Sequence, residues 1–313
     1  MAPSYSNRRQ HDKRRGLVEW VMMGRAGEVL VRHVFTVAVS MVICVAADPR
    51  PSLPAGAAPP TAASDLAVAV REFLLHLGSP NCDERWRAMS QEFPRLESRL
   101  DKGLLLVFER EVSSAPPPVR AKGDQLLAEL RAQQEFEETT GAERWMRDTL
   151  WAALADPETT RQARFQTLKH RLLSIARDRS KDVIVRGTAI GTIGWVARHY
   201  EGDEDGVERS GVPVREWRRE LLALVRDPDR DISALAAQVA AGLQKLAPTE
   251  RDAVIGRLIG GLRHPNLGIR LGSQTNLERL TSLRFCVDPT DPPSEREPGI
   301  HKWEEWWAAR SPS

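Results

Sequence analysis

The stretch "DPDRDISALAAQVAAGL", residues 227–243, aligns without a gap on "HPNLGIRLGSQTNLERL", residues 264–280. Asp227 falls on His264, Pro228 on Pro265, Asp229 on Asn266, Ile232 on Ile269, Ala236 on Ser273 and Ala240 on Leu277. The same frame fits "SKDVIVRGTAIGTIGWV", residues 180–196, through Val185, Arg186, Ala189 and Ile193. Weaker copies lie at Val119 and Arg120 with Gly123 and Leu127, and at Arg85 with Ala88. In all five an arginine, replaced once by Ser233, precedes Gly, Ala or Ser by three residues. Self-similarity of this kind marks a stacked array whose units bury their apolar faces only against neighbours.

Physical chemistry accounts for the spacing. A turn proline or Asp/Asn ends one helix and caps the next, and the small residue one turn later lets two helices approach closely. Three of these helices follow another helix with an apolar stripe: Phe165, Leu168, Leu172 and Ile175; then Trp217, Leu221, Leu224 and Val225; then Val254, Leu258 and Leu262. The repeating unit is therefore a helical hairpin, and the predicted fold class is an all-α solenoid. Successive units are 35, 66, 47 and 37 residues apart. The longest step implies a degenerate extra unit around Trp145 and Trp151, and the step of 47 an inserted loop.

The turn followed by "VRxxA" resembles the HEAT repeat family over roughly residues 64–310. The resemblance implies a right-handed α-solenoid in which turn acids and second-helix arginines order the stack. Asp182 with Arg186, and Arg270 beside Asn266, match those roles, and Arg85 and Arg120 occupy the same position in the weaker copies. Ala189, Ala236 and Ser273 take the small-residue position. Ser233 departs from the arginine, which predicts a less regular unit there. Solenoids of this kind serve many ends, so the resemblance fixes architecture and not activity.

The tail "HKWEEWW" places Ile300, Trp303 and Trp307 at i, i+3 and i+7, with Trp306 adjacent, on a helix predicted from about Pro298 to Arg310. Lys302, Glu304, Glu305 and Arg310 fall on its other side. That composition suits a C-terminal capping helix, apolar inward and polar outward; a partner-binding aromatic surface and a membrane belt are the alternatives. The wider tail also resembles the ending of exported HEAT-like proteins of planctomycete-type bacteria, which implies an extracytoplasmic compartment.

The amino-terminal residues point the same way. "VFTVAVSMVICVAA", residues 34–47, carries no charge, follows Arg25, Arg32 and His33, and ends in small residues that fit cleavage after Ala47. Residues 1–47 thus read as a signal peptide with a long basic region, shortened if translation starts at Met22 or Met23. A run of 14 falls short of the roughly 20 apolar residues of a spanning helix, although an uncleaved anchor through residues 34–47 is the alternative. Residues 48–63 are a Pro/Ala-rich linker, and residues 64–313 the helical repeat domain, opening on a helix with Ser64 as N-cap and Gly78 as stop. After cleavage Cys82 and Cys286 remain; in an elongated stack they sit near opposite ends and are expected unpaired.

Without residues 1–47 the chain has 38 basic and 40 acidic side chains. So balanced a charge lacks the footprint of a phosphate-backbone binder. The sequence contains no Gly-rich phosphate loop, HExxH, paired CxxC or GxSxG. His76, His170, His199, His264 and His301 are scattered, and read as surface or groove residues. "EGDEDG" at Glu201–Gly206 alternates acids like a calcium loop, but the terminal Glu expected of that loop falls on Val212. It reads as a solvated loop within an insertion at 202–214, where contact sites are common. Glu137 and Glu138 lie in a charged run that reads as a solvated helix end.

The expectation is a non-enzymatic exported scaffold, without cofactor or metal, whose concave surface of second helices binds another protein or peptide. No nucleic acid is expected as partner, nor a membrane span after cleavage. The alternatives are a HEAT-like enzyme acting on DNA bases or attaching a pigment, and a membrane-tethered scaffold.

Overall fold

The computed structural model describes residues 62–97, 102–140, 148–150, 152, 158–199 and 214–310. The leader, most of the linker, Trp145, Trp151, Glu201 and residues 202–213 of the inserted loop lie outside the described residues. Among those described, the regular structure is entirely helical.

Three hairpins stack in series: α6 (Glu158–Arg177) with α7 (Val183–His199), α8 (Val214–Val225) with α9 (Arg230–Ala241), and α10 (Pro248–Gly261) with α11 (Leu267–Thr281). Each second helix starts at the aligned turn residue. The Asp182 carboxylate accepts from the Ile184 N–H at 2.7 Å, Asp229 from Asp231 and Ile232 at 3.0 and 3.2 Å, and Asn266 from Ile269 at 3.0 Å. Such caps satisfy otherwise orphaned helix donors and contribute about 1 kcal/mol each. The first-helix stripes are buried, with Phe165, Leu172, Trp217, Leu221, Val254 and Leu258 at 0% exposure. Ala189, Ala236 and Ser273 are equally buried, as close helix approach requires. At the α7–α9 crossing the approach is tighter still, since a Cβ on Gly194 would overlap the Val239 side chain. The irregularity expected at Ser233 is not found: α9 is capped and continuous, and the Ser233 hydroxyl donates to the Arg230 carbonyl.

The amino-terminal part forms a second layer. α1 (Ala62–Leu77) begins two residues before Ser64, which is therefore not its cap. After Asn81, whose side chain caps Asp83, α2 (Cys82–Arg87) runs through a π-helical turn at Ala88–Glu92 into α3 (Phe93–Glu97). α4 (Lys102–Ser114) and the long α5 (Pro117–Thr140) complete the layer. Phe73 sits between Phe93 and Phe108, with ring centroids 5.8 and 6.0 Å away. Leu126, Leu127 and Leu130 of α5 share this core with Leu267 and Leu271 of α11.

That docking corrects two expectations. The chain is not an open, elongated stack, because its first helices fold back onto its last hairpin. The second helices do not line a free concave surface: residues 186–197, 232–241 and 267–274 are buried throughout.

The last helix, α12 (Pro293–Arg310), packs on α10. It starts five residues before Pro298, which lies inside it. Ile300 and Trp303 are buried, while Trp306 and Trp307 are half-buried against the same core. Trp303 meets Phe285 edge-on at 4.7 Å, and its indole N–H donates to Gln274 Oε1 at 3.2 Å.

Candidate functional site

Two clusters of polar side chains among the described residues join parts of the chain far apart in sequence. The first is a buried ladder between repeats. Arg186 lies 4% exposed beneath the α6–α7 turn, where its Nε–H donates to the Ala176 carbonyl at 3.1 Å. Its guanidinium does not turn back to its own Asp182. It crosses to the next repeat, 2.9 Å from Asp229 Oδ2 and 3.2 Å from Asp231 Oδ2. The Asp231 carboxylate then reaches His264 Nε2 at 2.8 Å, and the Asn266 N–H donates to His264 Nδ1 at 3.1 Å. An accepted hydrogen bond at Nδ1 leaves the imidazole proton on Nε2, pointed at Asp231. Burial holds His264 below its ordinary titration range, against the pull of Asp231, which fits this neutral tautomer. His264 is therefore a link between turns, not the surface or groove residue expected of it.

Arg270 ends the ladder differently, since its donors go to three backbone carbonyls: Pro289 at 2.8 Å, His264 at 2.9 Å and Pro265. Burial, reinforced by the nearby charge of Arg296, brings its guanidinium down to about 10. Of the weaker repeat copies, Arg120 is exposed and caps only the Ala115 carbonyl. Arg85 leaves the ladder altogether and joins the second cluster.

That cluster is the junction between the amino-terminal layer and the 282–292 segment following α11. Cys82 and Cys286 are joined by a disulfide across 204 residues, with Cα atoms 6.0 Å apart. The expectation of unpaired thiols is thus overturned, because docking of α2 and α5 on the last hairpin brings the two ends together. Beside the disulfide, Asp288 is 5% exposed and binds Arg85 Nε at 3.1 Å and Lys122 Nζ at 2.7 Å. Burial alone would raise the Asp288 carboxyl; the charge of Lys122 and bonds from Lys122 and Thr290 hold it below its ordinary range instead. Lys122 also pairs with Asp291 at 2.6 Å, Gln125 donates to the Thr290 carbonyl at 3.1 Å, and Arg284 pairs with Asp83 at 3.1 Å.

A cleft of about 210 Å³ opens at this junction, lined by Leu77, Arg85, Lys122, Asp291 and Glu295 among others. It lies below the roughly 300–1,000 Å³ of small-molecule sites, and its Arg85, Lys122 and Asp291 are engaged in the ion pairs above. Among the described residues, no three His, Cys, Asp or Glu side chains are grouped to hold a metal ion, and no helix is long and apolar enough to cross a membrane.

Sequence reading found Arg186, Asp182 and Asn266 but missed Asp288, Lys122 and Asp231, whose partners lie 33 to 203 residues away. The only available signal was the polar, proline-bounded "CVDPTDPP" after α11, which leaves the repeat frame. No family model, curated protein or solved structure matches this chain.

Proposed function

We propose that the chain is an exported, non-enzymatic scaffold: a right-handed, HEAT-like α-solenoid, capped by the Trp303 helix, that binds another protein or peptide not on an open concave surface but on the face of α11 that α5 covers in this structure. One observation carries the binding part. The inner face of α11 already holds a helix, since Leu267 and Leu271 pack with Leu126, Leu127 and Leu130 of α5. A groove that accepts an amphipathic helix of its own chain is chemically fitted to accept one from a partner. The Cys82–Cys286 disulfide supports the exported part, because such bonds persist in oxidising compartments. The ladder through Arg186, Asp231 and His264 supports the scaffold part, because it holds turns in register.

The test is to isolate the protein from its native host, with chemical crosslinking and mass spectrometry of the complex. A stoichiometric protein partner crosslinked near α11, lost with Leu267→Asp in a chain that keeps its helical content, is the expected result. A reproducible turnover by the purified protein, abolished by substitution of one polar cluster, would overturn the reading.

A further inference from the structure

We propose that the Cys82–Cys286 disulfide is a redox lock on the amino-terminal layer, opened by exchange with a dithiol to uncover the inner face of α11. The inference rests on the binding reading above and supplies its regulation. Three observations carry it: where the bond sits, what surrounds it and what it holds.

The bond is at the surface, with Cys286 exposed and Cys82 half-buried. A structural staple inside a core is shielded from attacking thiolates; this one is not. The Arg85 guanidinium lies beside it, with Nη2 3.9 Å from Cys286 Sγ. A cation there attracts an incoming thiolate and stabilises a departing one. A dithiol thiolate attacks Cys286 Sγ, the Cys82–Cys286 bond breaks, and Cys82 leaves as a thiolate that takes up a proton. The second dithiol sulfur then attacks the mixed disulfide and expels Cys286 as a thiolate beside Arg85. Two electrons pass to the protein, and the dithiol becomes a disulfide.

The remaining attachments at the junction are polar. Arg85 and Lys122 on Asp288, Lys122 on Asp291, Arg284 on Asp83 and Gln125 on Thr290 all join the amino-terminal layer to the 282–292 segment. Beneath them Leu267 and Leu271 of α11 join the amino-terminal core and Trp86 of that core hydrogen-bonds Glu278 of α11, but the layer has its own aromatic centre in Phe73, Phe93 and Phe108. The repeats have a separate core. Each body thus keeps its own interior when the bridge opens, as a switch requires.

The test treats the full chain with dithiothreitol under native conditions. Alkylation and intact mass report reduction, circular dichroism reports helix content, and amide hydrogen exchange reports the interface. The expected result is full reduction with helix content retained, and a rise in exchange of about tenfold or more in 117–135 and 267–281 while 214–261 are unchanged. Replacing dithiothreitol with oxidised glutathione, which accepts the two electrons, restores the oxidised pattern. A bond that resists reduction until the chain unfolds, a reduced protein that loses its helices, or one whose exchange is unaltered overturns the proposal. The Cys82→Ser/Cys286→Ser chain gives the reduced pattern without dithiothreitol; a pattern identical to the oxidised protein also overturns it. Exchange is read within the chain itself, so this result stands or falls independently of whether a partner exists.

Discussion

Arg186 of one repeat and Asp231 of the next are joined at 3.2 Å, and through Asp231 the contact continues to His264 of a third. Three successive turns are thereby tied by side chains, in addition to the apolar contacts between their helices. Arg186→Met keeps most of the volume but leaves the Ala176 carbonyl without its guanidinium donor and takes one cation from Asp229, which keeps Arg179 and its capping N–H groups. Asp231 retains solvent, which lowers the cost below that of a fully buried pair. A loss of about 2–3 kcal/mol in unfolding free energy is expected, measured by urea denaturation. Arg186→Lys restores charge without the fork and recovers only part of it.

His264 makes a prediction about pH. Its folded-state titration lies below the ordinary 6.5, so the unfolded chain binds its proton first as pH falls. The stability it contributes is complete above 6.5 and declines as pH falls below that value through the folded one. His264→Gln should flatten the pH dependence of unfolding free energy in this window. The slope difference from wild type has a ceiling of about 1.4 kcal/mol per pH unit, the value for one proton. An unchanged slope would show that His264 is not held neutral.

Asp288 responds in a more acidic window. Its folded value is depressed below the ordinary 3.8, so its contribution is present above 3.8 and is lost as pH falls further. Asp288→Asn removes the negative charge between Arg85 and Lys122 and should cost about 3 kcal/mol. Hydrogen exchange in α5 and α11 should rise with it, while exchange in α8 and α9 should not.

The tryptophans of the tail should separate by burial. Trp303 is 0% exposed and hydrogen-bonded, so Trp303→Ala should cost about 3–5 kcal/mol and leave Gln274 short of a partner. Trp306 keeps a solvent-facing side with Arg310 5.8 Å above its ring. Trp306→Ala should cost about half as much or less, checked by thermal unfolding.

What the sequence shows of this protein follows from the range of its interactions. Capping by Asp182, Asp229 and Asn266, the stripes of the first helices and the small residues at 189, 236 and 273 are local or periodic, and the repeat frame displays them. The partners of Arg186 are not legible in the frame, which displays residues of one unit, whereas the side chain spans to Asp229 and Asp231 of the next. The docking of α2 and α5 on α11 left no periodic trace. Its contacts pair residues of unlike units, and the assumption of a uniformly growing stack set Cys82 and Cys286 far apart. His264 illustrates the same limit, since a histidine in a turn looks solvated until the neighbouring turn supplies Asp231.

The closure of the chain on itself is tested most directly by disulfide mapping of the protein purified from its native host with free thiols blocked at lysis. Non-reducing proteolysis and mass spectrometry should recover the Cys82 peptide covalently joined to the Cys286 peptide. Recovery of both cysteines as separately alkylated thiols, even when the purified protein is first exposed to oxidised glutathione, would contradict the closed architecture, and the proposal of export would lose the support of the disulfide.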